Sequence, residues 1–170
     1  MPTVVVETGS GANPAANSYA STATIDTIAD NEMYMTDWLA LTANNKSKCV
    51  ITGTRLLDEY LSTRVLGSPT SLSQPLMFPR IGLYNRQGNA ISQNAVPTEV
   101  VTALAKIANL LAAANIEASQ KTGLASGSVG SLQAVFDKYD REGVVQDQVL
   151  ASLSCLLPPD SAFVAKTVRT

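Results

Sequence analysis

The stretch "VPTEVVTALAKIANLLAAANIEASQ", residues 96–120, decides the fold. Val100, Val101, Leu104, Ala105, Ile107, Ala108, Leu111 and Ala112 recur at helical spacing and give a wide apolar surface. Between Val100 and Ile116 the one charged residue is Lys106. A helix that is apolar nearly all round is buried at the centre of its domain. Its many alanines imply close approach by neighbouring helices. Pro97 suits the first turn, or Thr98 caps it, and Glu99 lies near the positive end of the dipole.

Other helices assemble around it. In "NNKSKCVITGTRLLDEYL", residues 44–61, Val50, Thr54, Leu57 and Leu61 form one stripe, with Cys49, Gly53, Leu56 and Tyr60 beside it. Asn44, Asn45 or Ser47 is the expected cap. Gly53 costs about 1 kcal/mol against Ala and is expected where another backbone comes close. In residues 18–41, Ser21 or Thr22 caps a helix carrying Ile25, Ile28 and Ala29. A second short segment there carries Met33, Tyr34, Trp38 and Leu41. Trp38, the one tryptophan, reads first as a core anchor and second as an interface anchor. Near the end, "VVQDQVLASLSCLLPPD", residues 144–160, puts Val149, Leu150, Leu153, Leu156 and Leu157 on one helix face, and Pro158 and Pro159 stop it. Trp38, Leu57, Leu104, Leu111 and Leu153 are the expected core anchors.

The remainder is extended. Residues 66–96 form a long loop too apolar to be disordered. Within it lies "QPLMFPR", residues 74–80, whose prolines each push the preceding residue toward extended geometry. Its apolar side chains plug either their own core or a neighbouring chain. On an extended segment residues two apart point the same way. Leu76 and Phe78 are thus expected to go inward and Met77 to face a neighbour. Arg80 is expected in an inter-subunit or intra-loop salt bridge. Residues 121–140 suggest a β-hairpin with a Gly/Ser tip. The expected organisation is a flexible arm at 1–17, a helical domain at 18–158 and an extended tail at 159–170. The fold class is mainly α: a small helical bundle with a long extended loop, a small β-hairpin element and extended N- and C-terminal arms.

Composition removes several function classes. The chain has 170 residues, 45% of them hydrophobic and 15% charged. With no histidine, the commonest general base and metal ligand are missing. Cys49 and Cys155, far apart among apolar neighbours, read as buried small side chains. Asp58 and Glu59 are adjacent on a helix and point apart. Together with "DKYDRE", residues 137–142, they read as solvated or salt-bridged faces. "GSGANP" lacks the Lys-Ser/Thr of a phosphate loop. No catalytic residue, cofactor or metal is therefore expected, and the chain reads as a non-enzyme. Twelve basic residues against fourteen acidic ones give a net charge of −2. That balance argues against autonomous nucleic-acid binding. No secretory signal or spanning-length apolar run is read, so a soluble protein made inside the cell is expected.

The order of motifs resembles a known family. "NSYAS", then Trp38, a helix ending "RLLDEYL", "QPLMFPRIG" and "VPTEVVTALAKIANLLA" follow one another. This is similar to the head–tail connector (adaptor, head-completion) proteins of tailed phages, whose relatives often carry the label DnaT-like single-stranded-DNA-binding protein. The likeness covers residues 17–114 and continues more weakly to the last helix. Phe78 stands where Trp is common, the leader is longer and a distinct tail follows the last helix.

The resemblance implies a virion protein of the neck, assembled in the host cytoplasm. Twelve copies would form a ring beneath the portal, extend the channel for passing double-stranded DNA without binding it specifically, and offer a platform to neck or tail proteins. It makes the long loop, with Leu76, Met77, Phe78, Arg80 and Tyr84, a subunit or tail-side interface. It makes the tail, with Phe163, Val164, Lys166, Val168 and Arg169, a portal contact. The alternative is a single-stranded-DNA-binding replication protein. That needs a basic groove with stacking aromatics, whereas the chain has one Trp, five Tyr and three Phe and no Lys/Arg-rich stretch.

Overall fold

The computed structural model describes residues 2–9, 11, 13–85, 87–114, 126–129, 132–135 and 147–157. The chain is mainly helical, with two small antiparallel sheets. Its elements are α1 (Thr22–Asn31), α2 (Thr36–Leu39), α3 (Ala43–Leu61), β1 (Ser68–Pro69), β2 (Arg80–Ile81), α4 (Thr98–Ala113), β3 (Ser126–Val129), β4 (Leu132–Val135) and α5 (Asp147–Leu153).

Helix α4 is the centre, packed by α2, α3 and α5. Val100, Ala103, Leu104, Ala105, Ile107 and Ala108 are buried along it. The helix ends at Ala113, although its apolar pattern runs on; residues 115–120 lie outside the described set. Leu111, expected as an anchor, is only half-buried, in the last turn of α4. The other four anchors, Trp38, Leu57, Leu104 and Leu153, are fully buried.

On α3 the stripe Val50, Thr54, Leu57, Leu61 faces the core. Thr54 is tolerated there because its hydroxyl donates to the Val50 carbonyl at 2.9 Å. The cap is Thr42, not Asn44, Asn45 or Ser47. Thr42 is the last residue with extended backbone, and its hydroxyl accepts from Asn45 N at 3.4 Å. Ser47 already lies inside the helix and donates back to Ala43 O at 3.1 Å. At α1, Ser21 caps as expected and accepts from Thr24 N at 3.0 Å. Gly53 makes room for side chains rather than for a backbone. A Cβ there would stand 3.0 Å from Leu104 Cδ1 and 3.3 Å from Ile107 Cγ2.

Trp38 is a core residue, and polar bonds fix its position. Its Nε1 donates to Asp26 Oδ1 at 2.7 Å, and Lys46 Nζ meets the same oxygen at 2.7 Å. Lys46 also lies 5.3 Å from the indole centroid. Asn109 on α4 then clamps the turn before α2. Its Oδ1 accepts from Trp38 N at 3.0 Å, and its Nδ2 donates to Tyr34 O at 3.2 Å. Met33 and Tyr34, grouped with Trp38 by sequence, stand outside in solvent.

The leader expected to be a flexible arm is held by its own chain. Val5 N donates to Asn17 Oδ1 at 2.8 Å, and Glu7 N donates to Ser18 O at 2.8 Å. Val5 and Val6 thus pair within the molecule, through a parallel bridge between Val6 and Ser18. Strands β3 and β4 pair from Ser126↔Val135 to Val129↔Leu132, inside the span expected for a hairpin. The tail with Phe163, Val164, Lys166, Val168 and Arg169, and the acidic run at 137–142, lie outside the described residues. Among the described residues no helix is long and apolar enough to cross a membrane.

Candidate functional site in the long loop

The box "QPLMFPR" is a folded knot rather than an extended arm. Gln74 organises it. Its Nε2 donates to Leu76 O at 2.6 Å and to Pro79 O at 2.9 Å, while its Oε1 accepts from Thr70 N at 3.1 Å. One side-chain amide thereby satisfies backbone groups that a strand partner would otherwise serve. The Phe78–Pro79 peptide bond is cis.

Arg80 closes the knot from the other end. It is buried, and its guanidinium donates to three carbonyls: Leu66 O at 2.9 Å, Gly67 O at 2.6 Å and Met77 O at 3.4 Å. The expected salt bridge is absent among the described residues. The fork geometry of arginine suits several carbonyls at once, so its donors are spent on backbone. The same contacts hold β1 beside β2, with Ser68 opposite Ile81.

The knot is then fastened to α3 and to the segment before α1. Tyr19 donates its hydroxyl hydrogen to Asp58 Oδ1 and accepts from Phe78 N at 3.2 Å. Asp58 Oδ2 accepts from Met77 N at 3.2 Å. The Phe78 ring is fully buried and meets Tyr19 edge-on, with centroids 6.1 Å apart. Burial pushes the Asp58 carboxyl up to about 6, against the pull of its bonds from Tyr19 and Met77. Burial, and then the Asp58 charge, push the Tyr19 phenol well above its ordinary value. Tyr19 is therefore a hydrogen-bond donor throughout the neutral range. Asp58, expected on a solvated face, is instead the junction of three chain segments.

A second carboxylate ties down the leader. Glu7 is buried, and its Oε1 accepts from Gly9 N at 2.9 Å and Gly11 N at 3.1 Å. Both glycines have positive φ. A Cβ at Gly9 would stand 2.2 Å from Asn94 O, and one at Gly11 2.6 Å from Gln74 Oε1. The leader's turn thus seats against both ends of the long loop. The spacing of the two glycines after an acid, "ETGSG", is the signal that sequence reasoning passed over.

Most residues expected at an interface are therefore turned inward. Phe78 and Arg80 are buried, and Leu76 and Met77 are half-buried against the core. Met77 does not face outward. Strand alternation fails because the segment curls around the Gln74 amide. Tyr84 is exposed as expected, and Leu66, Leu72 and Ile81 join it in solvent. Those three escaped notice because apolar character alone does not say which side of a loop a residue takes.

The described cations are mostly occupied. Lys46 pairs with Asp26, Arg55 with Glu59 at 2.6 Å, and Lys106 bonds Ser152 Oγ at 2.8 Å. Arg64 stacks 4.1 Å from the Tyr60 ring centroid. No group of three potential metal ligands occurs among the described residues. A family model described as "Putative DnaT-like ssDNA binding protein" matches residues 2–170. No curated protein matches the chain, and no solved structure does.

Proposed function

The chain belongs to the DnaT-like ssDNA binding protein family, and on that premise we propose that it is a structural assembly subunit: a head–tail connector that forms a ring under a phage portal. In this reading the ring extends the DNA channel and offers a docking platform to neck or tail proteins. The resemblance in motif order joins the family's label to connectors. The observation that carries the reading is the outer edge of the long loop. Leu66, Leu72, Ile81 and Tyr84 stand in solvent, on a backbone fixed by Gln74, Arg80 and Asp58. Apolar side chains held outward on a rigid support suit docking against another protein surface.

Single-stranded DNA binding is the second reading, and the family's printed description favours it directly. It requires cations directed at phosphates and aromatic faces open for stacking. Tyr34 and Tyr84 are exposed aromatics, while Lys46, Arg55 and Arg80 are engaged within the chain.

One pair of measurements separates the two. Mass photometry of the protein with its portal is expected to show a ring of subunits; a chain that stays monomeric beside the portal ends the connector reading. Fluorescence anisotropy with labelled single-stranded DNA is expected to show weak binding. Tight binding that falls steeply with salt establishes the second reading instead.

A further inference from the structure

The turn between α1 and α2 is an acidic, apolar knuckle that nothing in the site above uses. Met33, Tyr34 and Leu39 are exposed there, Tyr34 by 83%. Asp30, Glu32 and Asp37 surround them, all exposed. Among the described residues no cation pairs with these three acids. Lys46, the cation over the Trp38 ring, has its charge taken by Asp26, so the three acids keep their negative charge. Its backbone is rigid, because Asn109 grips Tyr34 O and Trp38 N and Trp38 is fully buried. A surface fixed in this way loses little freedom on binding.

The chain carries the complement of this surface in its last ten residues. "SAFVAKTVRT", residues 161–170, holds Phe163, Val164 and Val168 with Lys166 and Arg169, and no Asp or Glu. We propose that the segment 161–170 of one copy docks on the knuckle of a second copy, apolar side chains against Met33, Tyr34 and Leu39 and cations against the three acids. The contact joins two different surfaces of the same chain. Such a contact is heterologous, the kind whose repetition closes a ring. An extended ten-residue segment reaches about 33 Å, far enough to cross to a neighbour. The proposal rests on the ring-forming reading above; it assigns to a neighbouring copy the tail that the resemblance places on the portal, and names the contact that builds the ring.

The test is a charge swap between full-length copies. One variant carries Asp30→Lys, Glu32→Lys and Asp37→Lys; the other carries Lys166→Glu and Arg169→Glu. Asp30, Glu32 and Asp37 are exposed, and circular dichroism checks that both variants keep the wild-type helix signal. Sedimentation velocity at high protein concentration is expected to show salt-sensitive association of the wild type and none for either variant alone. Mixing the two variants is expected to restore association, since each lacks only what the other supplies. Tyr34→Ala is expected to weaken wild-type association at least tenfold. If the mixed variants stay apart, or if each variant associates as the wild type does, the proposal fails; a tail that docks only within its own chain gives the first of these results. A portal-bound ring that both variants still form removes the proposal while leaving the connector reading intact. A wild type that forms no ring with the portal removes both.

Discussion

At the scale of single residues, the decisive group is the one around Tyr19. It lies in the motif "NSYAS", yet its role is not written there, because its partners Asp58 and Phe78 stand 39 and 59 positions away. Spacing along a chain reveals neighbours on one helix, not a hydroxyl that bridges three segments. Tyr19→Phe leaves Phe78 N and an Asp58 oxygen without a partner in a buried place. It is expected to cost about 2 kcal/mol in urea unfolding, and a loss under about 0.5 kcal/mol would refute the junction. Asp58 adds a pH dependence. Its carboxyl is raised from the ordinary 3.8 to about 6 in the folded chain. Its contribution to stability is therefore complete below about 3.8 and is lost as pH rises through about 6. Against an Asp58→Asn variant, the wild type is expected to lose on the order of 3 kcal/mol between pH 4 and pH 7. Parallel stability curves for the two proteins would show that Asp58 titrates as an ordinary exposed acid.

At the scale of elements, the helices were legible, and so was the Ser21 cap of α1, but the start of α3 was not. The stripes on α3 and α4 are periodic, and burial follows them except at Val101, Leu111 and Ala112, which are half-buried. Caps depend on one residue's backbone angle, so Thr42 could not be told from the polar residues after it. Met33 and Tyr34 carry no direction in the sequence for a related reason: in a turn, period does not say which side faces solvent. Gly53 shows how α3 meets α4. Its missing side chain leaves the space that Leu104 and Ile107 enter. Gly53→Val is expected to force the two helices apart and cost about 2 kcal/mol, despite leaving the poorest helix former but proline. Thermal unfolding reads this directly, and an unchanged or higher melting temperature would mean the interface has slack.

At the scale of the whole molecule, the leader and the long loop are folded onto a helical core. The mainly α class followed from one central apolar helix. That the leader and the long loop belong to the same body did not, because Glu7, Gln74 and Arg80 shape each segment through nearby backbone groups, while the ties between segments run through Tyr19, Asp58 and the close approach of Gly9 to Asn94, far apart in sequence. The burial of Arg80 makes the loop its own reporter to a protease. Trypsin needs an arginine side chain free to enter its specificity pocket, and here that side chain is wrapped in three carbonyls. The bond between Arg80 and Ile81 is expected to resist cleavage longer than the bond after Arg64, whose side chain leans on Tyr60 but stands in solvent. Scission at Arg80 then counts the molecules in which the loop has come away. A mass spectrum of a brief digest, taken with and without a binding partner, would read that opening at a single peptide bond.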